Sequence, residues 1–127
     1  MFGGAGDDFI RGGTGEDDLY GEDGDDNVDG GAGNDEVWGG KGNDTLGGGA
    51  NGAGEVDVVK GGKGNDTIYA GDIQDPVVDP NNGGNATGID YLYGDEGHDT
   101  LYGADGNQDE YIWGGSGDDK IYGGDTI

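Results

Sequence analysis

Aliphatic side chains recur along the chain every nine residues. Ile10, Leu19, Val28, Val37 and Leu46 follow without a break, and Val59, Ile68, Leu92, Leu101, Ile112 and Ile121 continue the series across three longer intervals. Each stands between two residues of varied polarity, with glycine close on either side. The pattern predicts strands of about three residues whose middle side chain faces inward and whose neighbours face outward. One inward side chain per unit makes a thin core, and strands this short cannot form a freestanding sheet.

The polar positions repeat in step with the aliphatic ones. Cut before each glycine pair, the chain reads GGAGDDFIR from Gly3, GGTGEDDLY from Gly12, GEDGDDNVD from Gly21, GGAGNDEVW from Gly30 and GGKGNDTLG from Gly39. GGKGNDTIY from Gly61, GDEGHDTLY from Gly94 and GGSGDDKIY from Gly114 are further units, and longer ones run over 48–60, 70–93 and 103–113. The chain starts and stops inside units, the pattern of a segment of a longer protein or of a subunit whose ends are completed by neighbours. Glycine supplies positive φ in the turn before each strand, so that successive carbonyls can converge on one point. The aspartate at position six then delivers a carboxylate there. These residues are Asp8, Asp17, Asp26, Asp35, Asp44, Asp57, Asp66, Asp90, Asp99, Asp109 and Asp119, with Glu110 competing with Asp109 for its place. Carboxylate and carbonyl oxygens without His or Cys partners suit a hard cation that accepts irregular geometry, calcium rather than magnesium or zinc.

Composition makes the metal a requirement. The chain carries 29 acidic and 5 basic residues, a net charge of -24, with 35 glycines and no cysteine. Such a charge beside so few large aliphatic residues is the composition of a disordered chain. It repels nucleic acid and anionic membranes and attracts cations. The lack of cysteine removes disulfides, zinc–thiolate sites and thiol nucleophiles, and no apolar run approaches the length of a membrane span. One aliphatic contact per unit does not offset the ordering of so glycine-rich a chain. The chain is therefore expected to be unfolded without calcium and to fold as it binds calcium.

The unit G-G-x-G-x-D-x-U-x, with U aliphatic, resembles the nonapeptide repeat of the RTX, or hemolysin-type, calcium-binding family. The resemblance covers nearly the whole chain and implies an all-β fold, a right-handed parallel β-roll solenoid with two nonapeptides per turn and about six turns. It also implies a secreted protein, exported unfolded and folding outside in high calcium, often beside a catalytic or adhesive domain. In such a roll each ion lies between turns eighteen residues apart, so units of odd and even rank stack on opposite edges. The odd turns end in Asp8, Asp26, Asp44, Asp66, Asp99 and Asp119 without an insertion. The even turns end in Asp17, Asp35, Asp57, Asp90 and Asp109, and the insertions near 48–57, 70–89 and 103–109 all fall among them. One edge is expected to be an unbroken ion ladder and the other an irregular edge with loops, with up to about ten calcium ions in all.

Position nine of the even units carries Tyr20, Trp38, Tyr93 and Trp113, with Phe2 in register and Lys60 interrupting. This row either stabilises strand pairing or forms a contact surface for a second copy, a neighbouring domain or a sugar polymer. No catalytic role is expected. His98 is the single histidine and reads as a solvated turn residue, and there is no Ser-His-Asp order or phosphate loop. Asp25, Asn27, Asp29, Gly30 and Glu36 have the spacing of an EF-hand loop, but that loop needs a helix on each side. The expected function is a calcium-binding structural module of a secreted or cell-surface protein. The alternatives are a filament, surface-layer or adhesin subunit, and an accessory segment of a secreted protease, lipase or polysaccharide-modifying enzyme.

Overall fold

The strands follow the aliphatic period. In a computed structural model of the chain, which describes residues 1–49, 55–71, 90–103 and 110–123, the strands are β1 (Phe2–Ala5), β2 (Phe9–Thr14), β3 (Asp18–Asp23), β4 (Asn27–Ala32), β5 (Glu36–Lys41), β6 (Thr45–Gly49), β7 (Val58–Lys63), β8 (Thr67–Tyr69), β9 (Tyr91–Glu96), β10 (Thr100–Tyr102), β11 (Tyr111–Trp113) and β12 (Lys120–Tyr122). Among the described residues there is no helix long and apolar enough to cross a membrane. Odd-numbered strands make one six-stranded sheet, in the order β1-β3-β5-β7-β9-β11, and even-numbered strands make a second. Neighbours in both sheets pair in parallel. Parallel neighbours need a crossover, and here each crossover passes through the opposite sheet, so the chain winds as a two-sheet β-roll.

The register places the aliphatic residues in two facing rows. Leu19, Val37, Val59, Leu92 and Ile112 align in the first sheet. Ile10, Val28, Leu46, Ile68, Leu101 and Ile121 align in the second. All of these but Ile112 and Ile121 form the buried core together with Ala70, and Ile112 packs against it. Ile121 departs from the inward expectation and is 50% exposed, because no described strand stacks beyond β12.

Most strands are longer than the three residues expected. Pairing continues through the glycines after position nine, as in Gly13↔Gly31 and Glu22↔Gly40, because bare backbone lets successive turns approach closely. Only β8, β10, β11 and β12 keep three residues. Within these extensions the second glycine has positive φ, for example 111° at Gly13 and 121° at Gly40. Where the repeat lacks that glycine, Glu22 and Asp95 adopt the same region at 83° and 73°. A left-handed L-residue costs ~1–2 kcal/mol, partly offset by the greater freedom glycine loses on folding, ~0.5–1 kcal/mol. The double change Glu22→Gly, Asp95→Gly is therefore expected to raise the Tm of the calcium-loaded chain by about 5 °C, measured by calorimetry. An unchanged or lower Tm would count against strain at these two positions.

The insertions inferred near 48–57, 70–89 and 103–109 fall mostly outside the described residues. Their flanking strands are β6 and β7, β8 and β9, and β10 and β11. In each case the strand before belongs to the second sheet and the strand after to the first. The turns from the first sheet to the second form the uninterrupted edge.

Candidate calcium ladder along the turns

Each turn enters its strand through the position-six aspartate, and stacked turns join these residues in a hydrogen-bonded column. On the uninterrupted edge the Asp8 amide donates to Asp26 Oδ1 (2.8 Å), Asp26 to Asp44 (2.9 Å), Asp44 to Asp66 (2.9 Å), Asp66 to Asp99 (2.8 Å) and Asp99 to Asp119 (3.0 Å). On the other edge the Asp17 amide donates to Asp35 (3.0 Å), Asp35 to Asp57 (2.8 Å) and Asp57 to Asp90 (3.2 Å). Asp109 lies outside the described residues. The pairing of Tyr111 with Tyr91 brings Glu110 into register with Asp90.

In every aspartate after the first of each column that amide bond occupies one carboxylate oxygen, Oδ1. The other, Oδ2 of Asp8, Asp17, Asp26, Asp35, Asp44, Asp66 and Asp99, is buried without a hydrogen-bond partner. It lies against the first glycine of its own unit and the first carbonyl of the next stacked turn. A Cβ on Gly3 would stand 2.7 Å from Asp8 Oδ2 and 2.8 Å from Gly21 O, and one on Gly48 2.6 Å from Asp57 Oδ2 and 2.7 Å from Ala70 O. The same pair of oxygens recurs at Gly12, Gly21, Gly30, Gly39, Gly61 and Gly94. At these turns position one is therefore glycine by contact, since a side chain would fill this oxygen-lined cradle, whereas the long unit 70–93 begins with Ala70.

Acceptor oxygens facing one another away from water are unfavourable unless a proton or cation lies between them. Burial pushes the carboxyls of Asp35 and Asp44 up to about 6 and that of Asp66 to about 7, and it raises Asp99 as well. The amide bond from the preceding turn opposes this rise, and neighbouring carboxylates add to it. Among the described residues no three His, Cys, Asp or Glu side chains converge as a metal cluster. The donors are instead one carboxylate per turn together with backbone oxygens. That set fits calcium, which takes several oxygen ligands in flexible geometry, and lacks the nitrogen and sulfur ligands of structural zinc.

The family model described as the RTX calcium-binding nonapeptide repeat (4 copies) matches residues 1–28, 20–52, 51–72, 86–107 and 108–126. The chain belongs to this RTX family. No curated protein and no solved structure gives a match. In this RTX roll the repeat accounts both for the paired sheets and for the oxygen cradle at each turn.

The other residues singled out from sequence also have definite places in the RTX roll. Phe2, Tyr20, Trp38, Lys60, Tyr93 and Trp113 form one outward row on the first sheet. Phe2 stacks on Tyr20 at 4.8 Å, Tyr20 meets Trp38 at 5.5 Å, and Tyr93 stacks on Trp113 at 4.9 Å. Lys60 continues the row: its Nζ lies 4.1 Å from the Trp38 ring centre and 3.3 Å from Glu36 Oε1. Two of these ring pairs are stacked and the Tyr20–Trp38 pair is tilted, contacts worth about 0.5–1.5 kcal/mol per pair. The EF-hand spacing is flanked by strands, and its Asp29 is a buried partner of Arg11 at 3.2 Å. His98 is exposed, yet its Nδ1 accepts the Asp118 amide at 2.9 Å, a tie between turns beyond the solvated role expected.

Proposed function

We propose that the chain is a calcium-triggered folding module of a secreted or cell-surface protein, unfolded where calcium is scarce and a β-roll where it is plentiful. The buried, unpartnered carboxylate oxygens facing backbone carbonyls carry this reading, because a cation of matching chemistry turns their repulsion into attraction. Asp8, Asp26, Asp44, Asp66, Asp99 and Asp119 would hold about five ions on the uninterrupted edge. Asp17, Asp35, Asp57 and Asp90, with Glu110 or Asp109, would serve the other edge. Ten ions would move the net charge from -24 to about -4. The role is binding and structural rather than catalytic, with 1–127 as one roll in a longer protein or repeat subunit.

A second reading makes the outer face of the first sheet a contact surface, for another copy or a sugar polymer. It is favoured by an open groove of about 520 Å³ lined by Trp38, Lys60, Lys63, Glu96 and a glycine floor that includes Gly62. Beside a catalytic domain the same module would be an accessory segment. Equilibrium dialysis against calcium tests the main reading. Several ions per chain are expected, about five of them retained when Asp17, Asp35, Asp57 and Asp90 are changed to Asn, and no uptake at millimolar calcium would refute it. Light scattering in the same titration addresses the second reading. Growth that is lost in Trp38→Ser, Trp113→Ser with folding retained supports contact, whereas a compact monomer returns the row to strand pairing.

A further inference from the structure

We infer that position five of the uninterrupted edge is a positioning element of the calcium ladder: its side-chain acceptor fixes the spacing at which successive position-six carboxylates hold an ion. The inference rests on the calcium-triggered folding proposed above. In the sequence this position looks variable, filled by Asp7, Asp25, Asn43, Asn65, His98 and Asp118. In the structure it forms a second column. The Asp25 amide donates to Asp7 Oδ1 (3.0 Å), Asn43 to Asp25 Oδ1 (2.7 Å), Asn65 to Asn43 Oδ1 (3.0 Å), His98 to Asn65 Oδ1 (3.0 Å) and Asp118 to His98 Nδ1 (2.9 Å). Every step between the stacked turns of this edge is bridged.

Three residue types fill one position because they share one geometry. Asp and Asn carry an acceptor oxygen on Cγ, and His carries Nδ1 on the same carbon, so all three reach the same distance from the backbone. His98 accepts there through Nδ1, an equivalent of asparagine Oδ1.

The two columns also run in opposite senses. At position six the earlier turn's amide donates to the later side chain, as Asp44 does to Asp66. At position five the later turn's amide donates to the earlier side chain, as Asn65 does to Asn43. Adjacent residues of one dipeptide therefore clamp each pair of turns from both sides, and a slide in either direction stretches one of the bonds. Among the described residues, the edge with insertions lacks the full clamp. Asn34 Oδ1 accepts the Val56 amide at 2.8 Å, but the valine side chain offers no acceptor to the next turn. Glu16 Oε1 meets the Asn34 side chain, at 3.5 Å.

A calcium titration of the full chain, followed by circular dichroism, tests the inference with two triple variants. Asn43→Ala, Asn65→Ala, His98→Ala removes three acceptors, whereas Asn43→His, Asn65→His, His98→Asn keeps them all without adding negative charge. Each lost bond is worth roughly 2- to 13-fold in the folding equilibrium. With about five ions taken up together, the alanine variant should need about threefold more calcium at the midpoint. The acceptor-keeping variant should match the parent chain, and all three should bind the same number of ions at saturation. An alanine variant that never folds, beside an acceptor-keeping variant that does, also supports the assignment. An unchanged midpoint in the alanine variant, failure of the acceptor-keeping variant to restore it, or fewer ions at saturation overturns it. If the parent chain itself does not respond to calcium, the folding proposal falls instead, so the two failures are distinguishable.

Discussion

Chelating calcium from the folded chain at neutral pH is expected to unfold it completely. The strand signal in the far ultraviolet should vanish, and the radius of gyration should rise from about 14 Å to about 37 Å, the values for a compact and an open chain of this length. The cause lies in the columns of carboxylates. Stacked turns repeat at about 4.8 Å, and two unit charges at that spacing repel by about 3 kcal/mol at an effective dielectric of 20. Each turn adds to the core a buried aliphatic side chain such as Leu46 or Ile68, worth about 1.5–3 kcal/mol. Without a counter-ion the ladder thus cancels what the core contributes at the same turn, and nothing remains to oppose chain entropy.

Calcium reverses the sign of the ladder without altering the core, so folding and ion uptake should follow one titration curve. Magnesium at the same concentration should not restore the roll, because it demands near-octahedral geometry and gives up its water reluctantly. Circular dichroism and small-angle scattering in excess chelator decide the matter. A retained strand spectrum there would show that the core alone suffices.

Much of this architecture is legible in the sequence because the repeat is also the unit of stacking. The spacing of Ile10, Leu19 and Val28 already gives the strand centres, and sorting units by rank places Asp8, Asp26 and Asp44 on one edge and the insertions on the other. The less legible features depend on residues brought together only by winding. Glu22 looks like an ordinary acidic residue until Gly40 pairs with it and its backbone is held at positive φ. Lys60 looks like an interruption of an aromatic row until its ammonium group is seen over Trp38. Position five was hidden for a different reason. The recurrence of Asp and Asn there was visible, but the equivalence of His98 appears only through the atom that accepts the bond.

Replacing the mid-ladder Asp66 should separate the two tasks of its carboxylate. Its Oδ1 accepts the Asp44 amide at 2.9 Å, while its buried Oδ2 lies near the Gly94 carbonyl. Asp66→Ala leaves the Asp44 amide buried without that acceptor, at a cost of about 1–3 kcal/mol. It also removes a ligand from the two ion positions on either side. The expected result is about two ions fewer by dialysis and a several-fold higher calcium midpoint. Asp66→Asn should lose calcium in the same way but keep the amide bond, and its side-chain NH₂ can donate where Oδ2 faced a carbonyl. Extended to Asp26, Asp44, Asp66 and Asp99, the asparagine change should leave measurable strand structure in chelator where the parent chain has none.

Acid should act on the parent chain in the same direction. Asp35, Asp44 and Asp66 titrate at about 6, 6 and 7 in the roll against an ordinary 3.8. The calcium-free roll therefore binds protons more tightly than the unfolded chain, and its stability rises as pH falls from about 7 towards 4 and is lost as pH climbs back through 6 to 7. The calcium-loaded roll should show the opposite trend, because protons compete with ions for the same oxygens. If the asparagine ladder is as unfolded in chelator as the parent chain, and mild acid restores nothing, then opposed oxygens are not what keeps the calcium-free chain open. If both restore strand structure, calcium serves less to build the roll than to relieve the repulsion that its own ligands impose.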